Sequence, residues 1–263
     1  MYAERCVFIL LSERVAVSLH VDMLIKTEAI VLRSLKYGEN RLIINLLTES
    51  EGVVTVAVNM PKTQRGKLKR QLFQPLTLLS IELDMRQNRE LQHLRDARIS
   101  LPFASLATDP AKLGIALFLA EFLYFCSRGE DASEGFFQYI RNSILWLDGS
   151  RQHYANFHLV FMMRLSRFIG FMPNVDDYVE GDFFDMRNAC FVRTSPLHPD
   201  YLSPEDASHV ITLLRMNFET MHLFRLTRSE RNRIVDIIIL YYRLHVASFP
   251  ELRSLDIVRE LWA

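Results

Sequence analysis

Residues 27–59 read TEAIVLRSLKYGENRLIINLLTESEGVVTVAVN, and this stretch decides the fold. It holds three short apolar runs, Thr27–Arg33, Leu42–Thr48 and Val53–Asn59, parted by Tyr37-Gly38-Glu39-Asn40 and by Glu49-Ser50-Glu51-Gly52. Gly and Asn tolerate the positive φ that a tight turn needs. The valine-rich third run suits a pleated, half-buried surface. Short apolar runs bounded by turn chemistry predict strands rather than helices. Downstream, Leu76–Leu83 (LTLLSIEL) and Glu90–Ile99 predict a fourth and a fifth. Five short strands with tight turns suit a small closed barrel. The OB-fold is the commonest five-stranded case, and an SH3-like barrel is the alternative.

Past Pro102 the period changes. Asp109-Pro110 supplies an N-cap followed by proline at the first helical position. Leu113–Phe125 is apolar nearly all round, as a central buried helix would be. Phe136, Ile140, Ile144 and Leu147 recur at helical spacing until Gly149, and Phe157, Val160, Phe161, Leu165, Phe168 and Ile169 until Gly170. Ser203-Pro204 with Asp206 opens another helix, and Thr227 with Glu230 forms a capping box for a long last one. The fold class is therefore α+β, β then α. An N-terminal five-stranded OB-fold barrel (23–102) precedes an all-helical C-terminal domain (103–263) with an irregular insertion at about 174–199. Residues 1–22 lack a clear period and are expected to be an extraneous extension, with Met23 as the natural start.

The 263 residues are 49% hydrophobic and 24% charged, an ordinary globular mix that excludes a disordered chain. Cys6, Cys126 and Cys190 are odd in number and widely spaced. They give neither a disulfide framework nor a zinc site, which points to a reducing compartment. The apolar run Cys6–Leu11 stops at Glu13 and Arg14, and no run approaches the ~20 residues of a membrane span. The expectation is a cytoplasmic protein without membrane contact. Net charge is zero but unevenly spread: residues 23–100 hold 13 Lys/Arg against 8 Asp/Glu, and residues 101–263 hold 16 against 20. A basic front and an acidic rear predict two surfaces with different partners.

The strongest local signal is residues 61–70, PKTQRGKLKR, with no acid between Glu51 and Glu82. Lys62, Arg65, Lys67, Lys69 and Arg70 would follow a phosphate backbone, releasing counterions without reading sequence. Arg33, Lys36 and Arg41, flanking the first hairpin, would extend that surface, although any one such residue is more often just a solvated strand end. Stacking platforms are sparse in the barrel, where only Tyr37 and Phe73 stand out, so both single-stranded and duplex DNA are expected partners. The phosphate loop, dinucleotide fingerprint, zinc-protease and nucleophile-elbow motifs are all missing. The eight histidines have no acidic or cysteine partners at ligand spacing. The acids of Val175–Glu180 lack a calcium-loop pattern and read as a solvated loop. Neither catalytic residues, metal nor cofactor is expected.

Thr27–Leu32, Tyr37-Gly38-Glu39, Arg41, Leu46-Leu47-Thr48, Gly52, Gln74-Pro75, Arg167–Asn174 and Leu252–Asp256, in this order, resemble the RecO family. The resemblance runs from Met23 to the end. It implies an OB-fold, a helical C-terminal domain and no catalysis of covalent bonds. It also implies a DNA-repair mediator that anneals strands and works with RecR to place RecA on DNA coated by single-strand-binding protein. The helical part would dock the acidic tail of single-strand-binding protein, with Lys112, Arg164 and Arg167 as cationic rim. Many family members carry a four-cysteine zinc motif in the insertion. Here Val175–Val192 keeps Phe183, Phe184 and Cys190 alone, so the insertion is expected to hold by packing. The competing reading is a protein-interaction adaptor whose barrel binds no nucleic acid.

Overall fold

Met23–Tyr37 form one long strand, β1. It pairs antiparallel with β2 (Arg41–Thr48), which pairs with β3 (Gly52–Asn59). The computed structural model describes residues 23–60, 63, 70–86, 89–128 and 132–261; the expectation for residues 1–22 falls outside them. The strands β4 (Leu78–Met85) and β5 (Leu91–Ile99) complete a closed barrel in the order β1-β2-β3-β5-β4. Closure comes from β1 against β4, running from Met23↔Met85 to Ile30↔Leu78, and from a short parallel pairing of β3 with β5. The strand β1 is longer than its apolar run because it pairs with β4 at one end and with β2 at the other. Leu76, expected to open β4, instead has φ 61° and donates its N–H to the Val31 carbonyl at 2.7 Å.

The run Ala29-Ile30-Val31-Leu32 has no alternation because β1 is buried on both faces. Ala29 and Val31 point into the barrel core, while Ile30 and Leu32 join the core of the helical part. A register shift between Val31 and Arg33 marks where the strand leaves this double burial. Burying side chains the size of Ile30, Val31 and Leu32 contributes roughly 1.5–3 kcal/mol each. A charge at Ile30 or Leu32 would therefore loosen the joint between the two parts. Polar contacts pin the same seam. Arg141 reaches Glu28 at 2.9 Å and Gln138 Nε2 donates to Glu49 at 2.6 Å, while within the barrel Ser100 Oγ steadies Glu28 by donating to it at 2.7 Å.

The helices are α1 (Pro110–Cys126), α2 (Glu134–Gly149), α3 (Phe157–Ile169), α4 (Pro204–Arg215), α5 (Arg228–His245) and α6 (Leu255–Glu260). Asp109 caps α1 by accepting from the Ala111 and Lys112 amides, Gly170 ends α3 at φ 93°, and Thr227 with Glu230 closes the capping box of α5. None of these helices is long and apolar enough to cross a membrane, among the described residues.

The C-terminal part is not all-helical, and its insertion is not irregular throughout. Phe183–Asp185 (β6), Cys190–Val192 (β7) and Tyr201–Leu202 (β8) form a three-stranded sheet in the order β7-β6-β8. Strands of two or three residues are too short to show a period of two in sequence. Packing holds them: the Phe184 and Phe191 rings lie 5.0 Å apart, and Phe184 meets Tyr241 of α5 at 5.7 Å. The Asp185 carboxylate accepts from the Arg187 amide at 2.9 Å and from Asn188 Nδ2 at 2.7 Å. Burial raises its pKa, but these bonds and the nearby His198 outweigh burial and hold it below the ordinary carboxylate range.

Candidate nucleic-acid interface

Basic residues gather where the β1–β2 hairpin, the β3–β5 seam and the β4–β5 turn meet. The parallel pairing sets Ala57 beside His93, and β4 sets Asp84 on the other side of His93. Around this row lies a cavity of about 350 Å³, lined by Arg41, Arg86, Arg89, His93, Gln92, Leu91, Ala57 and Asp84. Gln92 shapes it. Its buried side chain accepts from the Arg86 amide at 2.9 Å and donates to the carbonyls of Arg86 and Arg89. One amide thus clamps both ends of the turn and presents two guanidinium groups. The single acid of the lining, Asp84, pairs with Arg95 at 2.6 Å, which leaves the cavity cationic.

The basic run lies between β3 and β4. Lys62, Arg65, Lys67 and Lys69 are outside the described residues; Arg70 is exposed at the end of the run. Both ends of the run are anchored, because Met60 and Phe73 are buried in the barrel core. Phe73, 2% exposed, is core rather than a stacking platform, whereas Tyr37 is 61% exposed beside the hairpin tip. Lys36 and Arg41 are exposed on that hairpin. Arg33 is not with them: half-buried past the register shift, its guanidinium rests 5.1 Å from the ring centroid of Tyr124 on α1.

The cations expected at a partner rim are scattered. Lys112 lies inside, 2% exposed, donating to Ser105 Oγ at 2.6 Å, to the Asp148 carbonyl at 2.9 Å and to the Ser150 carbonyl. Burial pushes its ammonium below the ordinary lysine range, against the pull of Asp148 and Asp109. It ties α1 to the end of α2 and is not a rim cation. Arg164 is half-buried and donates to the Met216 carbonyl at 2.8 Å, bracing the end of α4. Arg167 is exposed on α3.

Residues 23–103 match the family described as recombination protein O N terminal, and residues 107–256 match recombination protein O C terminal. The chain belongs to the RecO family. Among its relatives named DNA repair protein RecO, that of Bacteroides fragilis is 48% identical over 241 residues, 91% of this chain and all of the relative. The protein of Phocaeicola vulgatus is 47% identical, covering 92% of this chain and all of the relative. That of Porphyromonas gingivalis is 32% identical over 244 residues. Like the break between the two RecO matches, the change from β5 to α1 falls between 99 and 110.

In this RecO chain no group of three or more His, Cys, Asp or Glu able to hold a metal ion occurs among the described residues. Arg86, Arg89 and His93 were not legible as lining residues from sequence. The one usable signal was Arg86 and Arg89 flanking a turn. His93 depends on strand pairing.

Proposed function

We propose that the chain is a cytoplasmic DNA-repair protein, a recombination mediator that binds single-stranded and duplex DNA through its barrel. One observation carries this reading. Arg41, Arg86, Arg89 and the anchored start of the basic run converge at one end of the barrel. Cations grouped in this way neutralise phosphates and release counterions, which supplies sequence-independent affinity. The strand order, with β1 closing on β4, supports reading the barrel as an OB-fold. The DNA-binding set is Lys62, Arg65, Lys67, Lys69, Arg70, Lys36 and Arg41, joined by Arg86 and Arg89.

Family membership supports the remainder: strand annealing, work with RecR, and loading of RecA onto DNA coated by single-strand-binding protein, without covalent catalysis. Of Lys112, Arg164 and Arg167, Arg167 is the exposed one left for a partner on the helical part. A gel shift with single-stranded and duplex oligonucleotides, run beside a pull-down with purified RecR and single-strand-binding protein, tests the proposal. Binding to both DNA forms and retention of RecR are expected. Retention of RecR with no shift at low salt would overturn the DNA reading and leave a protein-interaction adaptor.

A further inference from the structure

Folding leaves the Tyr37 ring in the open. It is 61% exposed at the end of β1, and among the described residues no ring, cation or hydrogen bond meets its side chain. Gly38 follows at φ 65°, and a methyl group there would meet nothing within 4 Å, so no other side chain fills the space over the turn.

Strand pairing fixes what lies beside the ring. Tyr37 pairs with Arg41 on β2, and Arg41 with Asn59 on β3, so the three side chains share one face of the sheet. Leu35, Ile43, Ala57 and His93 form the next row of that face. The alternate residues Leu42, Ile44, Val56 and Val58 fill the barrel core, so this face is the outer one. Arg41, Ala57 and His93 also line the cavity of about 350 Å³. Tyr37 is thus the cross-strand neighbour of a cavity residue, at the ~5 Å separation of paired side chains. The charge beside the ring is unbalanced. Arg41, Arg86 and Arg89 stand in the lining against Asp84 alone, which Arg95 holds at 2.6 Å. Glu39 at the hairpin tip is engaged as well.

The geometry points to Tyr37 as a stacking platform for one unpaired base, with the phosphate of the same nucleotide held by Arg41 at the cavity. The inference rests on the DNA-binding reading of the barrel and adds to it a preference for single strands. A nucleotide joins a flat apolar base to an anion, and an open ring beside a cluster of cations matches both halves. An acidic peptide would need the cations but not the ring. A duplex keeps its base faces stacked inside, whereas a single strand offers them. Every base has a π-face, so the preference is for unpaired strands and not for a sequence.

The test compares the full chain with Tyr37→Leu and Tyr37→Phe, using oligo-dT, a duplex of equal length, and an abasic strand that keeps the phosphates without the bases. Thermal melting confirms folding. Tyr37→Leu should lose roughly tenfold in affinity for oligo-dT, the scale of one stacked base. Its salt slope, and its affinity for the duplex and the abasic strand, should match the parent's, and Tyr37→Phe should bind as the parent does. Arg41→Gln should instead weaken all three DNA forms and make the single-strand salt slope shallower by about 0.7. Unchanged oligo-dT affinity in a folded Tyr37→Leu would overturn the platform, and a weakened Arg41→Gln would leave the barrel reading standing. An equal loss on oligo-dT and the abasic strand would also overturn it, because Tyr37 would then shape the hairpin and hold no base. Weaker binding of a glutamate-rich peptide by Tyr37→Leu, with oligo-dT affinity unchanged, would assign the ring to a protein partner instead. A parent protein that binds none of the DNA forms would sink both readings together.

Discussion

The Met60 amide donates to the Asn40 carbonyl oxygen at 2.6 Å, fixing the start of the basic run at the tip of the β1–β2 hairpin. Met60, which precedes the basic run in sequence, is thereby held against the hairpin that carries Lys36 and Arg41, while Lys62, Arg65, Lys67 and Lys69 lie outside the described residues. Solvated loop charges contribute little to stability. Reversing these four and Arg70 to Glu should leave the melting midpoint essentially unchanged and weaken DNA binding by more than about tenfold at low salt. Gel shift and thermal melting on the same sample check both halves. Undiminished binding by a folded variant would remove the run from the interface.

Much of the fold was legible in sequence, and the misses have physical causes. The turns at Gly38 and Gly52 need positive φ, here 65° at both, and that chemistry stands in the residues themselves. The caps at Asp109, Ser203 and Thr227 are equally local. The small sheet of β6, β7 and β8 was not legible, because two- or three-residue strands are held by Phe184, Phe191 and Tyr241 meeting from distant positions. In the candidate site, charge density pointed to the 61–70 run, but spatial grouping was invisible. Arg86 and His93 come together through the clamp of Gln92 and the β3–β5 pairing. Lys112 has the charge of a surface cation and the position of a core residue, and only the packing of α1 against the end of α2 separates these cases.

The buried Lys112 ammonium satisfies Ser105 Oγ and two carbonyls at the end of α2. Lys112→Met keeps the stem and removes the donor, leaving three acceptors without it. Leaving buried polar groups unpaired costs about 1–3 kcal/mol each when unrelieved, so a total loss of about 2–4 kcal/mol is expected. Urea unfolding measures it, and DNA affinity should not change. A stable variant with weakened partner binding would put Lys112 back on a surface.

His158 ties stability to pH. Burial, followed by the charge of Arg231, lowers its pKa from 6.5 to about 3. Between those values the unfolded chain binds a proton that the folded chain refuses. The contribution is thus fully present above pH 6.5 and is lost as pH falls toward 3. From pH 6.5 to 5 this amounts to about 2 kcal/mol, at about 1.4 kcal/mol per unit. Urea midpoints across this range should show a shallower pH slope for His158→Leu than for the parent. Equal slopes would mean that His158 is not held neutral.

The central claim is that the barrel holds DNA by its phosphates, and the salt dependence of binding tests it most directly. Each phosphate contact on a single strand contributes a slope of about −0.7 in log K against log salt. The basic run alone gives about −3.5, and Lys36, Arg41, Arg86 and Arg89 steepen it toward about −6. Titrations of two unrelated oligonucleotides across salt should give parallel lines within this range, because phosphate contacts position a strand without reading its bases. A flat response would contradict the account.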